Sequence, residues 1–190
     1  MISITQTHGD NSAVFSPCER YRYALTWGLD TWPDPRRGVC VFLMLNPSTA
    51  NAFRLDPTLT RCKTFAEREG HGWLHVVNLF AFRATDPADM KRADDPVGPE
   101  NDRHVLRALE SIDIAGGTLI CGWGTHGVHQ GRDAHVLDLI AKSGITPHCL
   151  KQTKAGHPGH PLYLRADSPV VPLLPSEACA GDRGLLAEVG

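Results

Sequence analysis

No stretch of this chain is apolar for the roughly 18 residues that a membrane-spanning helix needs. Its first ten residues, Met1 to Asp10, are polar and lack the apolar core of a secretory signal. Positive charge is not in excess either: 19 lysines and arginines stand against 21 aspartates and glutamates, a formal net charge of −2. Proteins that grip duplex nucleic acid mainly by neutralising phosphates carry a basic surplus, so any nucleic-acid contact here has to be local, or the ligand small. The six cysteines lie scattered at 18, 40, 62, 121, 149 and 179. Without a C-x-x-C pair they form neither a zinc ribbon nor a dithiol redox motif. Cys40, Cys121 and Cys149 sit inside apolar runs, where buried reduced thiols are expected, and a reducing cytoplasm follows. A Walker loop, a G-x-S-x-G elbow and a G-x-G-x-x-G turn after a strand are also missing.

What is present is an alternation of short apolar runs with segments of helical period. Tyr21 to Thr26 and Val39 to Leu45 (VCVFLML) flank loop chemistry at Gly28–Pro35, and the pair reads as an N-terminal hairpin with a long loop. VCVFLML is apolar without alternation, as a strand covered on both faces is. Pro57 to Gly70 reads as a helix capped by Asp56, Leu74 to Leu79 as a strand, and Pro99 to Ile112 as a helix. Thr118 to Trp123 follows as a strand, Arg132 to Ser143 as a helix ended by Gly144, and Ile145 to Leu150 as a last strand. This order predicts an α/β fold of three layers around a mainly parallel, four-stranded sheet, one domain spanning 1–164. From Arg165 onward, prolines and glycines without period predict a loosely attached tail, 165–190.

Parallel strands joined by right-handed crossovers bring their C-terminal ends to one edge, where ligands bind in open α/β sheets. Four polar clusters fall there. Asn46-Pro47-Ser48-Thr49 follows VCVFLML; it either ends a strand and caps the next element, or presents the Asn46 amide and backbone N–H groups to a ligand. Asn78 closes LHVVN, and a fixed amide offers the adjacent donor and acceptor that match a base edge. In Cys121-Gly-Trp123-Gly124-Thr-His126-Gly127 the glycines allow close approach of a ligand or tight packing. Lys154-Ala-Gly-His157-Pro-Gly-His160-Pro161 puts two histidines in a glycine–proline loop, a poor pattern for core packing. The histidines lack the helical spacing and neighbouring carboxylates of a metal site, so neither a metal nor a cofactor is expected. Asp56, Asp86, Asp95 and Asp102 sit at turns or helix starts, where capping is the usual role.

The strings LMLNPSTA, DPTLTRC, VVNLFAFRATDP, DPVGPEND, GWGTHG and KAGHPGHPLYL, between about Val41 and Leu164, resemble an uncharacterised bacterial family, which supplies no activity. More distantly, the order of motifs resembles the uracil-DNA glycosylase superfamily. That resemblance implies a turn at Asn46-Pro47 that places the hydrolytic water and an Asn78 that reads the base. It also implies a Trp123-Gly124 pair ending the third strand, and a His157-Pro158 loop that holds the leaving base. Phe53 is the candidate for stacking on a flipped base, and Gly159-His160 stands where the superfamily has a serine.

Together these readings give a nucleobase-directed protein, with N-glycosidic hydrolysis as its reaction. Asn46 and His157 are the expected catalytic residues, and Pro47, Ser48, Phe53, Asn78, Trp123, Gly124, Lys154 and His160 the expected binding residues. The expected partner is a nucleobase, a nucleotide or single-stranded or flipped-base DNA, and no membrane. Two alternatives stay open: a non-catalytic nucleotide or nucleic-acid binding module, and a metal-assisted hydrolase.

Overall fold

A segment that is apolar at every position has no face to give to water, and the structure places Val39–Met44, buried at all six residues, in the middle of the sheet. The computed structural model describes residues 3–29 and 38–174. In chain order the strands are β1 (Ile4–His8), β2 (Asn11–Phe15), β3 (Arg22–Gly28), β4 (Val39–Met44), β5 (Trp73–Asn78), β6 (Gly117–Cys121), β7 (Pro147–Cys149) and β8 (Val171–Pro172). The helices are α1 (Pro57–Arg68), α2 (Pro87–Arg92), α3 (Asn101–Ala115) and α4 (Arg132–Lys142).

One sheet holds all eight strands in the order β1-β2-β3-β5-β4-β6-β7-β8. Its interior, β5-β4-β6-β7, is parallel, while β1, β2 and β3 join one side and β8 the other in antiparallel register. The sheet is therefore mixed and eight-stranded, which corrects the expected mainly parallel, four-stranded sheet. The expected hairpin is also corrected, because β5 lies between β3 and β4. Tyr21 to Thr26 pairs instead with β2 and with β5, where Leu25 meets Val76. The reason is burial: β4 needs a covered neighbour on both edges, whereas β3 grows more open towards Trp27 and Gly28 and suits a flank. A true hairpin does exist further upstream, β1–β2, closed over Gly9 and Asp10 with Gly9 at φ +57°. A Gly-Asp pair is a known two-residue hairpin loop, and it was the overlooked signal.

Side chains of β4 alternate between two cores. Val39, Val41 and Leu43 pack with Val105, Ala108, Leu109 and Ile112 of α3 and with Val136 and Ile140 of α4. Cys40, Phe42 and Met44 pack with Leu59, Cys62, Phe65 and Ala66 of α1. Helices thus cover both faces, giving three layers. Cys40, Cys62, Cys121 and Cys149 are buried free thiols. Asp56 caps α1 through Leu59 N–H, Asp86 caps α2 through Ala88 N–H, and Asp95 accepts from Gly98 N–H. Asp102 departs from the capping pattern and pairs with Arg132 and His135.

The segment read as a loose tail begins with contacts to the body. Arg61 and Arg68 donate to the carbonyls of Leu164, Ala166 and Ser168, and β8 pairs with β7. The remainder of that segment, 175–190, lies outside the described residues, as does most of the loop between β3 and β4. Among the described residues no helix is long and apolar enough to cross a membrane.

The α3 side of the sheet carries titratable rings. His104 stacks on Tyr23 at 5.0 Å between centroids. His75, on the same face of β5 as Val77, loses hydration and is repelled by His104, which pulls its pKa down to about 4. In the unfolded chain a histidine titrates near 6.5. Between about pH 6.5 and 4 the unfolded chain therefore holds a proton that the folded chain does not, so stability is full above this window and falls as pH drops through it. His75→Gln should flatten that acid limb, measured as unfolding free energies by chemical denaturation across pH 4–7. An unchanged slope would mean that His75 protonates as easily in the folded chain.

Candidate functional site

Because β4, β5 and β6 run parallel and in register, with Met44 beside Asn78 and Leu43 beside Cys121, the residues that follow them emerge at one edge. A cleft of about 730 Å³ opens there. Its walls include six of the residues expected from sequence, Asn46, Ser48, Asn78, Trp123, Gly124 and His160. Such a volume lies within the range, about 300–1,000 Å³, that holds small ligands and cofactors.

Asn46 is fixed by its own turn. Its Nδ2 donates to Ala84 O at 2.7 Å and to Pro47 O at 3.2 Å, and Ala84 N–H donates back to Pro47 O. Two carbonyl partners on the nitrogen settle which end of the amide is which, so the carbonyl end is the part left for the cleft. Pro47 is buried and acts only through its backbone, while Ser48 reaches Thr85 across the gap at 3.1 Å.

Asn78 is held by its backbone and left open at its side chain. Its carbonyl accepts from Asn101 Nδ2 at 3.0 Å. The next carbonyl, Leu79 O, accepts from Asn101 at 2.9 Å and from Arg132 Nε at 2.7 Å. Asn78 itself is 1% exposed, and its Nδ2 is buried without a hydrogen-bond partner. Trp123 Nε1 is in the same condition. Buried polar groups are almost always satisfied in a folded protein, so two unfilled donors on one cleft wall mark a place for an acceptor.

The glycines around Trp123 serve packing. A Cβ on Gly127 would lie 2.2 Å from Trp123 Cδ1, and one on Gly122 would lie 2.9 Å from Pro161 Cδ. Gly124, at φ +69°, donates its N–H to Pro158 O at 2.9 Å. The third and fourth motifs are therefore stitched together, strand end to histidine loop.

That loop delivers His160 to the cleft rather than His157. His157 closes the turn that starts at Thr153, its N–H on Thr153 Oγ1 at 3.0 Å and its carbonyl accepting from Thr153 N–H at 2.8 Å. Its ring is not among the cleft walls, and Lys154, at the tip of the same turn, is exposed. His160 has a buried, unpartnered Nδ1. Burial lowers its pKa below the usual histidine range against an opposing pull from Asp56, so its ring is neutral at pH 7. Phe53 also stays outside the cleft, 60% exposed with its ring against His8 at 5.2 Å.

The cleft adds residues outside the expected catalytic and binding set. Arg22 comes from the start of β3, Asp56 and Thr58 from the start of α1, His126 from the turn after β6 and Tyr163 from the loop after His160. Lys91 of α2 donates to His126 Nδ1 at 3.1 Å. Arg22 carried no warning beyond its charge in an otherwise apolar strand, and Asp56 was fully accounted for by its cap. Among the described residues no three histidine, cysteine or carboxylate side chains converge as a metal site would require.

A family model described as "Protein of unknown function (DUF1643)" matches residues 22–162. No curated protein and no solved structure matches the chain.

The two histidines should now separate in experiment, with His160 ahead of His157. His160→Ala is expected to weaken binding of a ligand in the cleft about tenfold or more, which is about 1.4 kcal/mol, with little change in melting. His157→Ala should leave binding unchanged and stability within about 0.5 kcal/mol. Calorimetric titration and thermal melting of both variants test this ranking, and a larger binding loss in His157→Ala would reverse it.

Proposed function

As the chain belongs to the DUF1643 family, a family of unknown function, we propose its function from the cleft: a nucleobase-directed site that hydrolyses an N-glycosidic bond. The observation that carries this reading is the Asn78 side chain, an amide with a buried, unpartnered nitrogen on the wall of a ligand-sized cleft. A donor beside an acceptor on a rigid strand end complements the edge of a base, and Trp123 Nε1 adds a second donor. Tyr163, 82% exposed at the cleft and 5.4 Å from His160, supplies the stacking face for which Phe53 is badly placed. The motif order that resembles the uracil-DNA glycosylase superfamily supports the same assignment, with His160 in place of His157.

The chemistry is within reach of these residues. The bond from the anomeric carbon to the base nitrogen breaks, its electron pair leaves with the base, and water adds to the sugar carbon. One water proton ends on the base and the products are the free base and an abasic sugar. Asn46, with its nitrogen spent on carbonyls, turns its oxygen to the water and orients it. Asp56, the one carboxylate among the described residues lining the cleft, can take the water proton. A neutral His160 donates its N–H to the charge that grows on the departing base, and such fixed donors are usually the largest contribution.

Asn78→Asp should change which base is bound by about 1–3 kcal/mol while leaving the fold intact, since the backbone clamps do not involve the side chain. Equal affinity of both proteins for every nucleoside would remove Asn78 from recognition. Turnover is tested by incubating single-stranded oligonucleotides that carry uracil or other altered bases and then treating them with alkali. Strand breaks are expected at the altered base. Retarded migration without breaks would make the protein a binding module.

A further inference from the structure

Among the described residues Arg22 is a buried cation without a paired anion. Its backbone N–H donates to Ala81 O at 3.0 Å as β3 begins, and its side chain is 1% exposed under the segment that follows Asn46. Nη1 donates to Ala50 O at 2.9 Å, and Nε is buried without an acceptor. Among the described residues no carboxylate lies within ion-pair distance of it. Burial lowers its pKa to about 10, and Asp56 attracts it while Arg83 repels it. It therefore stays protonated at neutral pH, and Asp56 does not offset its desolvation. Asp56 is also engaged elsewhere, its Oδ1 on Leu59 N–H and its carbonyl accepting from Thr60 N–H. Buried charges in proteins are ordinarily paired, and the described residues leave Arg22 without a pairing anion, which a bound ligand would supply.

We propose that Arg22 anchors an oxyanion subsite in the cleft and that the ligand's anionic group is a phosphate, so that the site takes a nucleotide rather than a bare base. Three observations converge on it. Arg22 lines the cleft, its Nε is unfilled, and Thr58, at the second position of the twelve-residue α1, lines the same cleft. Pro57 has no N–H, and the N–H groups of Leu59 and Thr60 are taken by Asp56, which leaves Thr58 N–H as the free donor of the first turn. A guanidinium fork matches two phosphate oxygens in a way that a single ammonium does not. The identity of the ligand as a nucleotide rests on the nucleobase reading above; the demand for an anion at Arg22 does not.

The experiment titrates wild type with a nucleoside, its 5′-monophosphate, a short single-stranded oligonucleotide and inorganic phosphate. The monophosphate or the oligonucleotide is expected to bind at least tenfold more tightly than the nucleoside, with inorganic phosphate competing and raising Tm. A preference for the monophosphate identifies a free nucleotide, and one for the oligonucleotide a backbone diester. Arg22→Met should erase the phosphate preference while nucleoside affinity stays, and Arg22→Lys should keep part of it. Should Arg22→Met not fold, phosphate competition and phosphate-induced protection of the Thr58 amide in hydrogen exchange of wild type decide the matter. Equal affinity for nucleoside and phosphorylated ligands, with no effect of inorganic phosphate, overturns the subsite. A phosphate preference that survives in a protein indifferent to base identity would leave the subsite standing and remove the nucleobase reading.

Discussion

Where β5 leaves the sheet, two successive carbonyls, Asn78 O and Leu79 O, point away from any strand partner and must be satisfied by something else. Asn101 bridges both of them and Arg132 adds a third hydrogen bond, and both donors are buried. Arg132 is itself held by Asp102. On the other side, Leu79 N–H and Phe80 N–H continue the ladder onto Met44 O and Leu45 O. The backbone at the end of β5 is thus fixed from α3, from α4 and from β4 at once. The amide of Asn78 inherits that rigidity without using any of its own hydrogen-bonding capacity.

The same economy holds for the rest of the cleft. Asn46 spends its nitrogen on the turn and keeps its oxygen. Gly122 and Gly127 give up side chains so that Pro161 and Trp123 can close in, and Gly124 N–H on Pro158 O draws the histidine loop against the end of β6. Each contact trades local freedom for the placement of a polar group that then has nothing inside the protein to bind. Rigid placement of this kind lowers the entropy that a ligand has to offset when it docks.

Much of this was legible in the residues, and the boundary follows the range over which each signal acts. VCVFLML could only be an interior strand, and LHVVN and TLICGW could be read as its neighbours, because uninterrupted apolar runs demand cover on both faces. Helix ends were readable from Asp56, Gly70 and Gly144, which act over a single turn. Strand partners were not, since whether β3 lies beside β4 or β5 depends on the competition of all strands for the covered positions. The motif that presents Asn46 and Asn78 was local and came through. Choosing between His157 and His160 required the turn geometry of Thr153, which period and composition do not encode. Arg22 was invisible because its role arises only when β3 is brought beneath a loop some 25–30 residues later in the chain.

Unsatisfied polar atoms do not by themselves pick out a site. Asn101 Oδ1 and the ring nitrogens of His104 and His148 are also buried without partners, and Asn101 nonetheless has an evident structural task at its other end. What distinguishes the cleft is convergence. Arg22 Nε, Asn78 Nδ2, Trp123 Nε1 and His160 Nδ1 come from four separate segments, and all four residues line the same space. An unmet buried group costs about 1–3 kcal/mol, so gathering four of them around one opening is expensive for a domain whose whole stability is about 5–15 kcal/mol. A fold can carry that expense where water or a ligand enters the opening. Three of the four groups are donors by their chemistry, which favours an occupant rich in acceptor oxygens. With a net charge of −2 the chain lacks the broad positive field that collects polyanions at a distance. Selection for such an occupant then has to happen inside the cleft, by fit to these few fixed groups, rather than at the surface.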